Sequence, residues 1–305
     1  MFIRITFNLK FSIRRRKPSF VRKKGEGRRK KTCAPFFLEF MDREMGNVRR
    51  RCRQSTCDNY MTARRSFSAF LGGADVSLRD VTPQLVLRYS QWLSERGISL
   101  NTVSCYMRSL RAMYNIAVKK YRLKQNNPFS TVFTGNAVTR KRALGEAEIQ
   151  RIGNVRLGTE TFEAWARDVF MFCFYAMGMP FADAMMLRKG QVSNGTITYS
   201  RCKTGRKVTV GIEPCMERIM RKYDRGDSDY VFPVPVGARH PGGKGYALLL
   251  NRYNAWLKHL SHKAGICVPL TSYVPRHTWA SLAYSRNVPL HVISQEIGRA
   301  SCRER

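Results

Sequence analysis

Acidic residues are scarce: 21 Asp and Glu stand against 55 Lys and Arg, leaving a formal net charge of +34 on 305 residues. A charge of this size opposes compaction and calls for a polyanionic partner. Nucleic acid is the first such partner and an anionic membrane surface the second. Basic ribosomal-type proteins share this balance, so charge alone selects no function. Long apolar runs are also missing. The longest, Val169 to Met179, falls far short of the ~20 residues that a bilayer requires. Lysines and arginines interrupt the N-terminal stretch, so no signal-peptide core forms there. Nine cysteines are scattered without any C-x-x-C pair: Cys33, Cys52, Cys57, Cys105, Cys173, Cys202, Cys215, Cys267 and Cys302. That argues against a metal knuckle, and the odd count favours free thiols in a reducing cytoplasm. The expectation is a soluble intracellular, cytoplasmic protein with no membrane partner, metal or other cofactor.

With 43% hydrophobic residues, the chain is long enough for about two domains. Residues 1–33 are set apart by composition, holding 13 Lys and Arg but only one acidic residue, Glu26. Arg14 to Lys17 and Arg28 to Lys31 are like-charge blocks, expected to be disordered alone. They read either as a DNA-gripping arm or as a leader from an over-extended start codon. Most of the charge excess lies after residue 33 and so belongs to the folded part.

Residues 34–130 read as a helical domain. Phe36 to Met45 begins one helix, and Asn59 to Leu71 forms another, stopped by Gly72 and Gly73. Thr82 is a suitable N-cap with Pro83 at the first helical position. Leu85, Val86, Tyr89, Trp92 and Leu93 follow on one apolar face, and Gly97 closes the helix. After Asn101, the residues Val103, Tyr106, Met107, Leu110, Met113, Tyr114 and Ala117 keep helical spacing. Arg108, Arg111, Lys119 and Lys120 lie off that face. They are either a solvated surface or phosphate contacts, and in so basic a chain the second is favoured.

Residues 131–142 form a linker ending in Arg140, Lys141 and Arg142, three further DNA-contact candidates. A second domain, residues 143–305, begins with a short helix from Glu146. Glu160 to Met179 reads as one long buried helix. Thr196 to Lys203 alternates, Thr204 and Gly205 turn, and Lys207 to Ile212 alternates again, predicting a hairpin. Helical patterns resume at Pro214 to Lys222, at Tyr246 to Ala264 and from Pro275 onward.

Three stretches carry chemistry together: GMPFADAMMLRK (Gly178 to Lys189), YSRCKTGRKVTV (Tyr199 to Val210) and LTSYVPRHTWASLAY (Leu270 to Tyr284). In this order, after a small basic helical domain, they resemble the tyrosine recombinase (phage integrase) family, closest to integrases of bacterial mobile elements. The resemblance covers residues 34 to about 295. It implies an all-α SAM-like core-binding domain followed by a mostly α catalytic domain of α+β type with a small antiparallel hairpin. It also implies double-stranded DNA and further recombinase protomers, in a dimeric or tetrameric synapse, as partners. In such enzymes a tyrosine attacks a DNA phosphate and releases a 5′-hydroxyl. Two arginines clamp the phosphoryl oxygens, and a hairpin lysine protonates the leaving oxygen. No metal or ATP is needed.

The resemblance transfers as follows. Arg276 matches the second catalytic arginine and His277 follows it as in the family's R-H-T. Tyr273 stands where a histidine is usual, three residues earlier, and can still donate a hydrogen bond. Lys203 matches the hairpin lysine, and Asp183 the acidic residue after the first arginine motif. The first arginine has no match: in G-[LM]-R, Gly178 and Met179 are followed by Pro180. In some related integrases the residue before the glycine serves, here Met177, while Arg188 falls at a structural position.

At the C-terminus, Ile297-Gly298 stands for L-G and Arg299 for the following His or Trp. The nucleophile would then fall at position 308, after Arg305. One back-translation of Ile297 to Arg305, ATC GGA AGA GCG TCG TGT AGG GAA AGA, is the start of a common short-read sequencing adapter. The expectation is a catalytic domain incomplete at its C-terminus, with a natural frameshift as the other source of such a tail. Other codons across Gly298 to Arg305 in the nucleotide record would exclude the adapter. Two readings of the chain stand: a site-specific recombinase whose nucleophile segment is missing, and a catalytically inactive DNA-binding protein derived from an integrase. The motif order argues against a general RNA-binding protein.

Overall fold

The computed structural model describes residues 35–51, 54–138, 142–224 and 226–297. Two separate hydrophobic cores organise them, one drawn from Phe37 to Val132 and one from Leu144 to Val274.

The first core lies among α1 (Phe37–Arg51), α2 (Gln54–Phe70), α3 (Pro83–Glu95) and α4 (Leu100–Tyr121). Phe37, Phe67, Tyr89 and Tyr114 are fully buried in it and meet edge to face. The caps of α3 follow the sequence pattern. Thr82 Oγ1 accepts from the Leu85 N–H at 3.2 Å, and Pro83 opens the helix. Gly97, at φ 69°, ends it. Both preceding helices are longer than their patterns suggest: α1 runs past Met45 to Arg51, and α2 starts at Gln54, ahead of Asn59. The N-terminus of α1 is capped from a distance. Both Asp75 carboxylate oxygens accept from it, at 2.8 Å from Leu38 N–H and 2.9 Å from Glu39 N–H.

Beyond α4 the chain returns along one face of that helix. The Asn101 amide bonds Ala137 twice, through its N–H group and its oxygen. Ser104 Oγ donates to the Gly135 carbonyl, Arg108 reaches Asn136 Oδ1 at 3.4 Å, and Arg111 reaches Thr134 Oγ1 at 3.2 Å. Positions 101, 104, 108 and 111 lie on one stripe of a helix, so this polar stripe positions the exit strand of the first unit.

The second unit comprises α5 (Glu146–Asn154), α6 (Phe162–Tyr175), α7 (Phe181–Met185), β1 (Val192–Ser193), β2 (Thr196–Ser200), β3 (Lys207–Gly211), α8 (Pro214–Tyr223), α9 (Lys244–Lys263), α10 (Val274–Ser285) and α11 (Leu290–Glu296). The sheet is antiparallel in the order β1-β2-β3, with Ile197 opposite Val210 and Tyr199 opposite Val208. Helix α6 is buried on nearly every side, as its composition predicts. It ends at Tyr175, four residues before the expected Met179. Met177 and Gly178 both take left-handed conformations, at φ 53° and 71°. The Met179 N–H then reaches back to the Cys173 carbonyl at 2.9 Å, satisfying a terminal carbonyl as a Schellman turn does. Among the described residues no helix is long and apolar enough to cross a membrane.

Candidate active site

The site is assembled where α7, the β2–β3 hairpin, α10 and the end of α11 meet. Strand β2 alternates, so Ile197 and Tyr199 point inward and the next inward position is Arg201. Arg201 closes the hairpin with its backbone: its N–H donates to the Arg206 carbonyl at 2.9 Å, and its carbonyl accepts from Gly205 N–H at 2.8 Å. Gly205 sits at φ 69°, the conformation this tight turn requires. Lys203 is exposed on that turn.

Asp183, buried in α7, holds the base of the hairpin. One carboxylate oxygen accepts from Cys202 N–H at 2.8 Å and the other from Arg201 Nε at 3.4 Å. Burial, then the Asp183 carboxylate beside it, pushes the Cys202 thiol up to about 12. Burial is also the main cause raising the Tyr199 hydroxyl above its ordinary range. Asp183 adds to this, while Arg201 and Arg276 oppose it. The ring of Tyr199 therefore lies in the field of both guanidiniums and stays neutral at physiological pH.

Arg276 enters from the first turn of α10 and is only 6% exposed. One of its terminal nitrogens donates to the Gly178 carbonyl at 3.0 Å and the other to the Ile297 carbonyl. Arg201 donates to the same Ile297 oxygen at 2.7 Å. Gly178 permits the approach: a Cβ there would stand 2.7 Å from Arg276 Cα. Thr278, also buried, accepts from Leu144 N–H at 3.1 Å and ties α10 to the start of the unit. Tyr273, at the head of α10, is 49% exposed, and its ring meets that of His277 edge to face at 4.7 Å.

Of the residues expected to act, the structure brings Arg276 together with Asp183 and the base of the hairpin that carries Lys203. His277 and Tyr273 lie on the adjoining turn of α10. No arginine comes from the Gly178 loop: Met177 packs partly buried against the core and Pro180 leads into α7. Arg188 is engaged elsewhere, its guanidinium over the Tyr230 ring at 5.5 Å. Arg201, buried in the same place and bonded to the same Ile297 carbonyl as Arg276, was not singled out from the sequence. The alternation of β2, continued by one step, was the signal for it. Among the described residues, no three His, Cys, Asp or Glu side chains are grouped to hold a metal ion.

The basic candidates are spread out. Arg108 and Arg111 hold the 134–136 segment from an exposed face. Lys119 and Arg142 are exposed. Lys120 pairs with Glu44 at 2.9 Å. Arg140 and Lys141 lie outside the described residues, as do the 1–33 segment and Gly298 to Arg305.

Fold and site together define a two-unit protein: a helical unit followed by a mostly helical one built around a hairpin and a buried arginine. Residues 36–134 match the family model of the phage integrase SAM-like domain. Several solved structures share the fold. One is a lambda integrase dimer bound to a COC′ core site, with TM-score 0.68, 15% identity, and coverage of 88% of this chain and 93% of that one. A lambda integrase tetramer bound to a Holliday junction gives TM-score 0.68 at 14% identity, covering 90% and 80%. The Tn1549 transposon integrase in complex with transposon right end DNA gives TM-score 0.65 at 12% identity, covering 88% and 92%. At such identities the likeness establishes the fold. No curated protein matches by sequence.

Proposed function

We propose that the chain is a site-specific DNA recombinase, cutting and rejoining strands through a phosphotyrosyl intermediate in the cytoplasm of a bacterium. Arg276 carries this reading. A guanidinium costs free energy to bury, and this one is held at a helix start, beside a hairpin whose turn presents Lys203. In the reaction Arg276 donates N–H groups to the phosphoryl oxygens as negative charge builds in the transition state. Lys203 protonates the 5′-oxygen as it leaves. Tyr273 and His277 flank the arginine and supply further hydrogen bonds to the phosphate. Asp183 holds the hairpin base in register.

The two units would close on duplex DNA as a C-shaped clamp, with other protomers completing a dimeric or tetrameric synapse. Residues 34–130, 131–142 and 143–305 then act as DNA grip, linker and catalytic unit. Arg108, Arg111, Lys119, Lys120 and the 140–142 cluster would contact phosphates. The basic 1–33 segment would add a further grip. By the resemblance the attacking tyrosine would follow α11, where Gly298 to Arg305 hold none.

A second reading, an integrase-derived protein that occupies DNA sites without cutting them, is favoured by one observation: Met177 and Pro180 stand where the first arginine is usual. A nicked suicide duplex bearing the element's end separates the two. Recombinase activity traps a covalent phosphotyrosyl adduct on a denaturing gel. Tight binding without an adduct gives the second reading. No binding to duplex DNA at low salt would refute both.

A further inference from the structure

Resting on the reading of Arg276 as a phosphoryl-binding group, we infer that Arg201 supplies the second guanidinium of the clamp, from the hairpin strand instead of the Gly178 loop. Three observations carry this. Arg201 and Arg276 are both buried, at 8% and 6% exposure, and both donate to one oxygen, the carbonyl of Ile297. Two guanidiniums focused on one oxygen give the donor geometry that an oxyanion needs. The Ile297 carbonyl stands in for a phosphoryl oxygen at that focus.

The second observation is how Arg201 is held. Asp183 accepts from its Nε, and its own backbone closes the turn that carries Lys203. A side chain fixed at both ends is pre-organised, so little is lost in orienting it when charge develops. The third is vacancy by sequence elsewhere. Neither Met177 nor Pro180 carries an N–H donor on its side chain, and Arg188 lies over Tyr230. The hairpin thus delivers two cations to the reaction, Arg201 to a non-bridging oxygen and Lys203 to the leaving oxygen, with one residue between them.

A soak of crystals of the whole chain with sodium tungstate, a phosphate-like oxyanion with a strong anomalous signal, tests this. A peak within hydrogen-bond reach of both guanidiniums, in place of the Ile297 carbonyl, is expected. A peak bound by Arg276 with Arg201 turned away overturns the role of Arg201 and leaves the Arg276 reading intact. A chain that binds no tungstate at either arginine overturns both. In solution, calorimetric titration of tungstate should weaken about ten-fold or more in Arg201→Lys, which keeps the charge but loses the fork. The same loss in Arg276→Lys calibrates it. An Arg201→Lys protein that melts at the wild-type temperature and binds tungstate as tightly as wild type would refute the proposal. If Arg201→Lys fails to fold, the position of the peak in the wild-type crystal decides alone.

Discussion

Gly178 and Arg276 touch through their backbones. A methyl group at position 178 would sit 2.7 Å from Arg276 Cα, closer than real Cβ atoms come, and the φ of 71° is a left-handed one. Gly178→Ala should therefore cost about 2–4 kcal/mol, adding left-handed strain to overpacking. It should also swing Arg276 off the Gly178 carbonyl. Urea denaturation followed by tryptophan fluorescence measures the first effect. Gly190→Ala serves as the control, since that site has open space and no positive φ; it should stay within about 0.5 kcal/mol of wild type. A Gly178→Ala protein as stable as the control would mean that the backbone contact is not there in solution. At this scale Gly178 and Arg276 were legible as motif positions. Arg201 was not, although it follows the period of its strand, because arginine beside a hairpin turn is ordinarily an exposed residue. Its burial depends on Asp183, which stands 18 positions earlier and is brought close only by tertiary folding.

Elements whose ends are encoded locally were read closely. Thr82, Pro83 and Gly97 delimit α3 by side-chain and backbone chemistry within the helix itself. Helix α1 is different, because its cap is Asp75, 36 and 37 residues beyond the N–H groups it accepts. No local pattern announces such a cap. The end of α6 was misread for a related reason. Its apolar run continues to Met179, and a methionine in a left-handed conformation at 177 carries no sequence signal. The packing of Gly178 on Arg276 holds the chain there. The Asp75 cap offers a direct measurement. A carboxylate at a helix N-terminus satisfies two orphan N–H groups and interacts favourably with the helix dipole. Asp75→Ala should lower stability by about 1–2 kcal/mol, with Asp75→Asn losing less because its oxygen still accepts one bond. Thermal melts by circular dichroism check both, and an Asp75→Ala protein melting at the wild-type temperature would show the cap to be energetically idle.

Over the whole molecule the dominant property is the charge of +34. The DNA-binding reading gives that charge a measurable consequence. Each phosphate neutralised releases counterions, so the logarithm of affinity falls with the logarithm of salt by about 0.9 per contact on duplex DNA. Arg108 and Arg111 are the instructive pair, because the structure gives them another task. Both are exposed and hold the 134–136 segment against α4 through neutral oxygens. Those bonds use the N–H groups of one terminal nitrogen each, and a guanidinium has five donors in all. One side chain can therefore hold the segment and meet a phosphate. The double variant Arg108→Ala with Arg111→Ala should flatten the salt slope by about 1.8 if both touch phosphate. Fluorescence anisotropy on a short duplex between about 50 and 200 mM salt reads this directly. If the pair only fixes the exit strand, the slope stays at its wild-type value while the melting temperature falls. A loss of affinity with unchanged slope would then trace to a displaced linker, and the phosphate grip would have to lie on other basic faces, Lys119 and Arg142 among them.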